Sequence, residues 1–148
     1  MQAWIFQAKP EQYEIKNIRE NQRETWLVTR YRREMGKGDI VFFWRAGDRQ
    51  ERGIYGWGQI LDGEPREIDD WGYGVSVEYC HRFDHFISVD DLEHEGVLTD
   101  NLILRMPIGT NFRVSQEELD GLARLIVNKG EEPPVRSSAG PGARQERT

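Results

Sequence analysis

With 148 residues, 37% hydrophobic and 31% charged, the chain is long enough for one domain with a real core and too short for two. A net charge of -6 and a pI near 5.2 argue against a protein that grips long duplex DNA through its phosphates. The single cysteine, Cys80, excludes an internal disulfide and fits a reducing compartment. No apolar run approaches membrane-spanning length, and the start, MQAWIFQAKP, lacks the regions of a signal peptide, so the expectation is a cytoplasmic protein with no membrane partner. The charge is uneven: nine basic and six acidic residues lie between Arg19 and Arg52, two and twelve between Leu61 and Asp100. The first stretch tolerates a polyanion; the second does not.

Taken in order, Ala3 to Gln7 is apolar and aromatic, ends before Lys9-Pro10, and reads as a strand inside a sheet. Pro10 suits the first turn of a short helix, PEQYEI, with Tyr13 turned inward. Thr25 to Thr29 reads as a second strand, followed by RYRREMGKG, which suits a helical turn closed by Gly36. Gly38-Asp39 then turns the chain into a hairpin whose strands are Ile40 to Arg45 and Gly53 to Leu61, joined by an open loop from Ala46 to Arg52. By the period-2 rule Ile40, Phe42 and Trp44 share one face and Val41, Phe43 and Arg45 the other; in the partner strand Tyr55, Trp57 and Gln59 oppose Ile54, Gly56 and Gly58. Both faces carry apolar bulk, so the hairpin is central. Glycines at 56 and 58 imply that something approaches that backbone closely: a flat ligand, or Trp26 or Trp44 needing room across a twisted sheet.

DGEPREIDDWGYG reads as an irregular excursion in which Trp71 and Tyr73 stand out. Val75 to Phe83 alternates and predicts a strand with Val75, Val77 and Tyr79 on one face. Ser88 and Asp91 form a capping box for a short helix stopped by Gly96. A second box, Ser115 and Glu118, opens the clearest helix, with Leu119, Leu122, Ala123 and Ile126 at helical spacing and Gly130 at its end. Beyond Gly130 the chain is proline, glycine, serine and charge without periodicity, which predicts a domain over residues 1–130 and a disordered tail over 131–148.

Little in the chain resembles an active site. Cys80 and His81 are adjacent on a predicted strand and point to opposite faces, so they make no nucleophile and base pair. His81 and His85 lie roughly 13 Å apart in a strand, too far to chelate one metal. The Gly-x-Gly fragments at 36–38, 56–58 and 72–74 open no helix as a phosphate loop requires. No catalytic residue, no metal site and no cofactor is expected. The surplus is aromatic: five Trp, five Tyr and six Phe. Trp4, Trp26, Trp44 and Trp57 fall on predicted strands, where some belong to the core and others can line a pocket that stacks a base.

The start W4-I-F-Q-A-K-P10-E-Q-Y13, the strand with Trp26 followed by Arg30, the G38-D39-I-V-F-F-W44 turn and strand, its partner G53-I-Y-G-W-G58, and P107-I-G-T-N-F112 together resemble the EVE domain family over about residues 1–128. The resemblance implies an α+β, PUA-like fold, a curled mixed β-sheet or barrel with flanking helices, related to YTH domains. Phe6-Gln7 after the first tryptophan is similar to the prokaryotic type found beside modification-dependent restriction systems. It implies a binding module, not an enzyme, that recognises a modified base in DNA, of the methylated cytosine or adenine class, in a restriction or defence context with an effector protein as a further partner. The alternative it leaves open is an RNA-binding module acting on modified or unmodified RNA. On this resemblance Trp26 takes the position of a cage tryptophan, and Trp44, Arg45, Ala46 and Gly47 lie where the strand opens onto the pocket, with Trp57 on the partner strand. Thr29 and Arg30 would supply edge or phosphate hydrogen bonds, and Gly47 and Gly53 would let the loop approach the base.

Overall fold

A computed structural model describes residues 1–135, the Trp71 side chain excepted. Its sheet serves two cores, because apolar residues occupy both faces of the same strands. Among the described residues it contains β1 (Ala3–Ala8), β2 (Arg23–Val28), β3 (Ile40–Arg45), β4 (Gly53–Ile60), β5 (Arg66–Glu67), β6 (Tyr73–Ser88) and β7 (Asn111–Val114). The order is β2-β6-β4-β3-β1-β7, with β5 beside β6. Among the described strands only β1 and β3 run parallel; the other pairs are antiparallel. The mixed sheet curls into a half-barrel flanked by α1 (Val89–Glu95), α2 (Leu102–Arg105) and α3 (Gln116–Asn128). Trp4, Phe6, Trp26, Val41, Phe43, Val77 and Tyr79 belong to the cluster inside the curl. Ala3, Ile5, Ile40, Phe42, Trp44 and Trp57 belong to the other cluster, with Leu92 of α1 and Leu119, Leu122 and Ile126 of α3.

The capping boxes at Ser88/Asp91 and Ser115/Glu118 both form, and Gly96 ends α1 at φ 69°. Two predicted helical turns do not. At PEQYEI the chain makes a turn and then a 3-10 turn, Ile15–Asn17, whose start is capped by the Glu14 carboxylate accepting from the Lys16 amide. After β2, Tyr31 sits at φ 61°, which breaks a helix, and Asp39 Oδ2 takes the Gly36 amide at 2.9 Å. Asp39, 5% exposed, also accepts from the Trp4 indole at 3.0 Å and from the Gln2 amide, so it ties the hairpin's entry to β1.

The expected parity of β4 is also corrected. Trp44 pairs with Ile54 and Phe43 with Gly56, so Tyr55 is a bulge residue and the faces exchange there. Ile54 and Trp57 consequently share the outer face, and Tyr55 joins the inner one. The close approach at Gly56 and Gly58 comes from β6 and from neither a ligand nor a tryptophan. A Cβ at Gly56 would lie 2.4 Å from the His81 carbonyl oxygen, and one at Gly58 2.1 Å from that of Glu78.

Packing also continues past the expected domain end at residue 130. Glu131 is buried: its carboxylate accepts from the His85 amide at 2.9 Å and meets His81 Nε2 at 3.1 Å and His85 Nδ1 at 3.3 Å. The Trp57 indole donates to the Glu132 carbonyl at 2.9 Å, and Val135 packs on the outer core. The tail reading for residues 136–148 lies outside the described residues.

Burial pushes the Glu131 carboxyl up, but hydrogen bonds from the His85 and Asp84 amides and from both imidazoles outweigh it and hold the group below the ordinary glutamate value of 4.5. A carboxyl lowered in the folded state contributes stability above its unfolded pKa, and that contribution is lost as pH falls through the folded one. Glu131→Gln should therefore be less stable than the parent at neutral pH and flatter below about pH 4.5. Denaturation curves from pH 7 to 3 check this; parallel pH profiles for the two proteins would disprove it.

Candidate nucleic-acid interface

The half-barrel closes at one point. Asn111, the first residue of edge strand β7 and fully buried, donates from Nδ2 to the Leu27 carbonyl at 3.1 Å and accepts at Oδ1 from the Thr29 amide at 2.7 Å. Leu27 belongs to β2, the opposite edge of the sheet. Thr29 and Arg30 are thereby fixed and exposed at the end of β2. Beside them, Gln7 at the end of β1 donates through Nε2 to the Pro107 and Gly109 carbonyls, and Arg30 Nη2 donates to the Ile108 carbonyl. On the other side of β1, the Ala46 amide donates to the Ala8 carbonyl at 2.9 Å. The rim of the curl thus carries Ala46 and Gly47, then Gln7 and Ala8, then Pro107 to Asn111, then Thr29 and Arg30.

The expected pocket residues do not all meet there. Trp44 is 0% exposed in the cluster under the helices, and Trp57 lies in the same cluster. Both face away from Trp26, which belongs to the inner cluster, because Trp44 shares the parity of Phe42 while Phe43 faces inward. Trp44 and Trp57 are therefore core residues. Arg45 points to the rim but is committed: its Nε and Nη2 each lie 2.9 Å from a Glu14 carboxylate oxygen, a bidentate pair that raises the guanidinium and lowers the Glu14 carboxyl. Its work is to fix the turn after β1. Gly47 adopts φ 113° against Pro10, whereas Gly53 is a glycine because the Ile87 carbonyl oxygen would lie 2.0 Å from a Cβ.

Trp26 does border an opening. A cleft of about 240 Å³ is lined by Tyr13, Glu24, Thr25, Trp26 and Leu27. The indole is 8% exposed, with Tyr13 set edge-on at 5.8 Å between ring centres and Phe43 at 5.4 Å. Trp26 Nε1 donates to the Tyr79 hydroxyl at 2.9 Å, and the Tyr13 hydroxyl donates to Glu24 Oε1. Burial, together with the hydrogen bond to Glu24, pushes the Tyr13 hydroxyl up; burial pushes Tyr79 up as well, so both remain donors. Glu24 Oε2 has no hydrogen bond among the described residues and remains a free acceptor at the mouth. Tyr13 and Glu24 were invisible as site residues in sequence, since nothing local marks a Tyr and a Glu eleven positions apart as partners.

A second cleft, lined by residues 28–34 and Tyr73, continues from the end of β2. Arg32 lies over the Tyr73 ring at 3.8 Å, which accounts for one of the two aromatics in the irregular excursion. Among the described arginines elsewhere, Arg45, Arg49, Arg66, Arg105 and Arg113 face carboxylates. Arg30, Arg32 and Arg33 have no acidic partner among the described residues. The cleft beside Trp26 is therefore flanked by positive charge that no carboxylate among the described residues neutralises. The Cys80 thiol, by contrast, is pushed up by burial, a poor setting for a nucleophile.

Substitutions at two positions separate closure from core. Asn111→Ala removes the partner of the Thr29 amide and of the Leu27 carbonyl and should cost about 2 to 6 kcal/mol in chemical denaturation, from about 1 to 3 for each stranded group. A loss below about 1 kcal/mol would mean that packing alone closes the barrel. Trp44→Ala should cost about 3 to 5 kcal/mol as a core truncation. Trp44→Phe should cost far less, because Trp44 Nε1 is buried without a hydrogen-bond partner and the change removes it. Equal losses for Ala and Phe would contradict that reading.

The family model for the EVE domain matches residues 2–125. A hypothetical protein from Leishmania major has the same fold with a TM-score of 0.72 at 15% identity, covering 88% of this chain and 98% of that one. Protein Atu2648 from Agrobacterium tumefaciens gives 0.69 at 16% identity, covering 93% and 99%. Human THYN1, solved in complex with DNA containing 5-methylcytosine, gives 0.62 at 18% identity, covering 84% and 97%. Among curated proteins no sequence match is found. The curled mixed sheet with its flanking helices is the α+β, PUA-like fold, and the chain belongs to the EVE domain family.

Proposed function

We propose that the chain is a non-enzymatic reader of a modified nucleobase in DNA, of the methylated cytosine or adenine class. The observation that carries the reading is the cleft where Trp26, Tyr13 and Glu24 converge beside arginines without acidic partners. Cytosine and adenine both present an exocyclic amino group, and a carboxylate is its natural acceptor. Glu24 Oε2 fills that role. A methyl group adds apolar area that Trp26 desolvates, worth roughly 1 to 3 kcal/mol of discrimination. Arg30, Arg32 and Arg33 meet the flanking phosphates, so log affinity should fall with log salt at a slope of only about -2 to -3. The structure of human THYN1 with 5-methylcytosine DNA supports DNA as the partner class, since that protein shares the fold. A restriction or defence setting, with an effector protein downstream, rests on the likeness of the Phe6-Gln7 start to the prokaryotic type.

The test is a panel of oligonucleotides bearing 5-methylcytosine, N6-methyladenine or no modification, each as deoxyribose and ribose. One modified deoxy oligonucleotide should bind best, and Glu24→Gln should weaken it about tenfold, or 1.4 kcal/mol, with the melting temperature held. No preference for any modified base would end the reading. Tighter binding of the ribose set would move the partner to RNA.

A further inference from the structure

The segment leading into β7 does something that the core does not require. Among the described residues six large hydrophobic side chains are exposed, and four of them lie in or beside this segment: Leu102 at 44%, Met106 at 57%, Ile108 at 67%, and Leu27 at 38% on the strand to which Asn111 bonds. Exposed apolar groups on a loop would ordinarily be free to fold back. Here the backbone is fastened. The carbonyls of Pro107 and Gly109 accept from Gln7, that of Ile108 accepts from Arg30, that of Thr110 accepts from the Gln7 amide at 2.7 Å, and the Ile108 amide donates to the Met106 carbonyl at 2.7 Å. With four successive carbonyls turned toward Gln7 and Arg30, the Ile108 side chain remains in solvent.

We propose that the loop over residues 106–110 is a wedge for duplex DNA: Ile108, supported by Met106, enters the base stack at the step from which a modified base has been turned out into the Trp26 cleft. This rests on the base-reading function above. A base removed from a duplex leaves two apolar base faces without a partner, and isoleucine and methionine are among the side chains that fill such gaps. Charge selects DNA over a second copy of this chain or an apolar peptide, because the neighbouring Arg30, Arg32 and Arg33 lack acidic partners among the described residues and suit the phosphates on either side of the step. The arrangement also explains why Arg30 commits one donor to the Ile108 carbonyl: the same guanidinium positions the wedge and lies next to the backbone that the wedge opens.

The experiment compares one modified sequence as duplex and as single strand, with 2-aminopurine next to the modified base. The parent protein should bind both and raise 2-aminopurine fluorescence in the duplex. Ile108→Ser with Met106→Ser should lose about tenfold or more on the duplex, the worth of one stacking contact, and less than about twofold on the single strand. Ile108→Leu should restore duplex binding. Both sites are exposed, so melting temperatures should stay level and confirm that the variants are folded. Equal losses on the two substrates, or none on either, would overturn the wedge while leaving base reading intact. A parent protein that ignores the modification in both substrates would overturn the two together. A concentration-dependent dimer abolished by Ile108→Ser would assign the patch to self-association and also overturn the wedge.

Discussion

One side-chain amide holds the two edges of this sheet together. Asn111 satisfies a carbonyl of β2 and the amide just beyond it, 82 to 84 residues away in sequence, and does so from a fully buried position. An open curled sheet has two edges with unpaired amides and carbonyls, and each buried unpaired group costs free energy. The edge strands β2 and β7 do not pair with each other, and a residue with both a donor and an acceptor bridges them. Glutamine is longer by a methylene, and aspartate lacks the donor. The rim that carries Thr29, Arg30 and the 106–110 loop exists as one surface because of this bridge.

The two faces of the sheet divide labour. The outer face is sealed by α1 and α3 and by the segment through Val135, and its large residues, Trp44 among them, are inaccessible. The inner face is filled by aromatic rings in tilted and edge-on contact: Phe6, Tyr13, Trp26, Phe43 and Tyr79. Such contacts leave one indole with its nitrogen satisfied by Tyr79 and its rim at an opening. The cleft proposed to read a base is thus an extension of the inner core.

Much of the fold was legible in sequence, and the reasons are local. Both capping boxes are four-residue signatures, and the Ile40 to Arg45 run declares its two faces by alternation alone. What could not be read depends on partners distant in sequence. The bulge at Tyr55 is set by register against Trp44 and Phe43. The turns at Pro10 and after Thr29 lose their helical character to Glu14, Asp39 and Asn111. For the candidate site, the family resemblance pointed to Trp26, Thr29 and Arg30, and the fold sets Trp26 against one cleft and Thr29 and Arg30 in the next. Trp44 misled because alternation says which residues share a face but not which face helices cover. Glu24 and Tyr13 are joined only by the fold.

The position of β1 has a consequence for how the chain acquires this structure. That strand is flanked by β3, with Ala3 opposite Ile40, and by β7, with Ala3 opposite Val114. As the chain emerges from the ribosome, its most N-terminal strand gains its first neighbour only after the parallel crossover is complete. It waits for its second until β7 has emerged. In that interval Ile5 and Phe6 present an apolar, unpaired edge, the kind of surface that chaperones shield and that other nascent chains can capture. The final pairing step, and with it the Asn111 bridge, comes only after Asn111 has been synthesised, so the rim is among the last parts of the sheet to take shape.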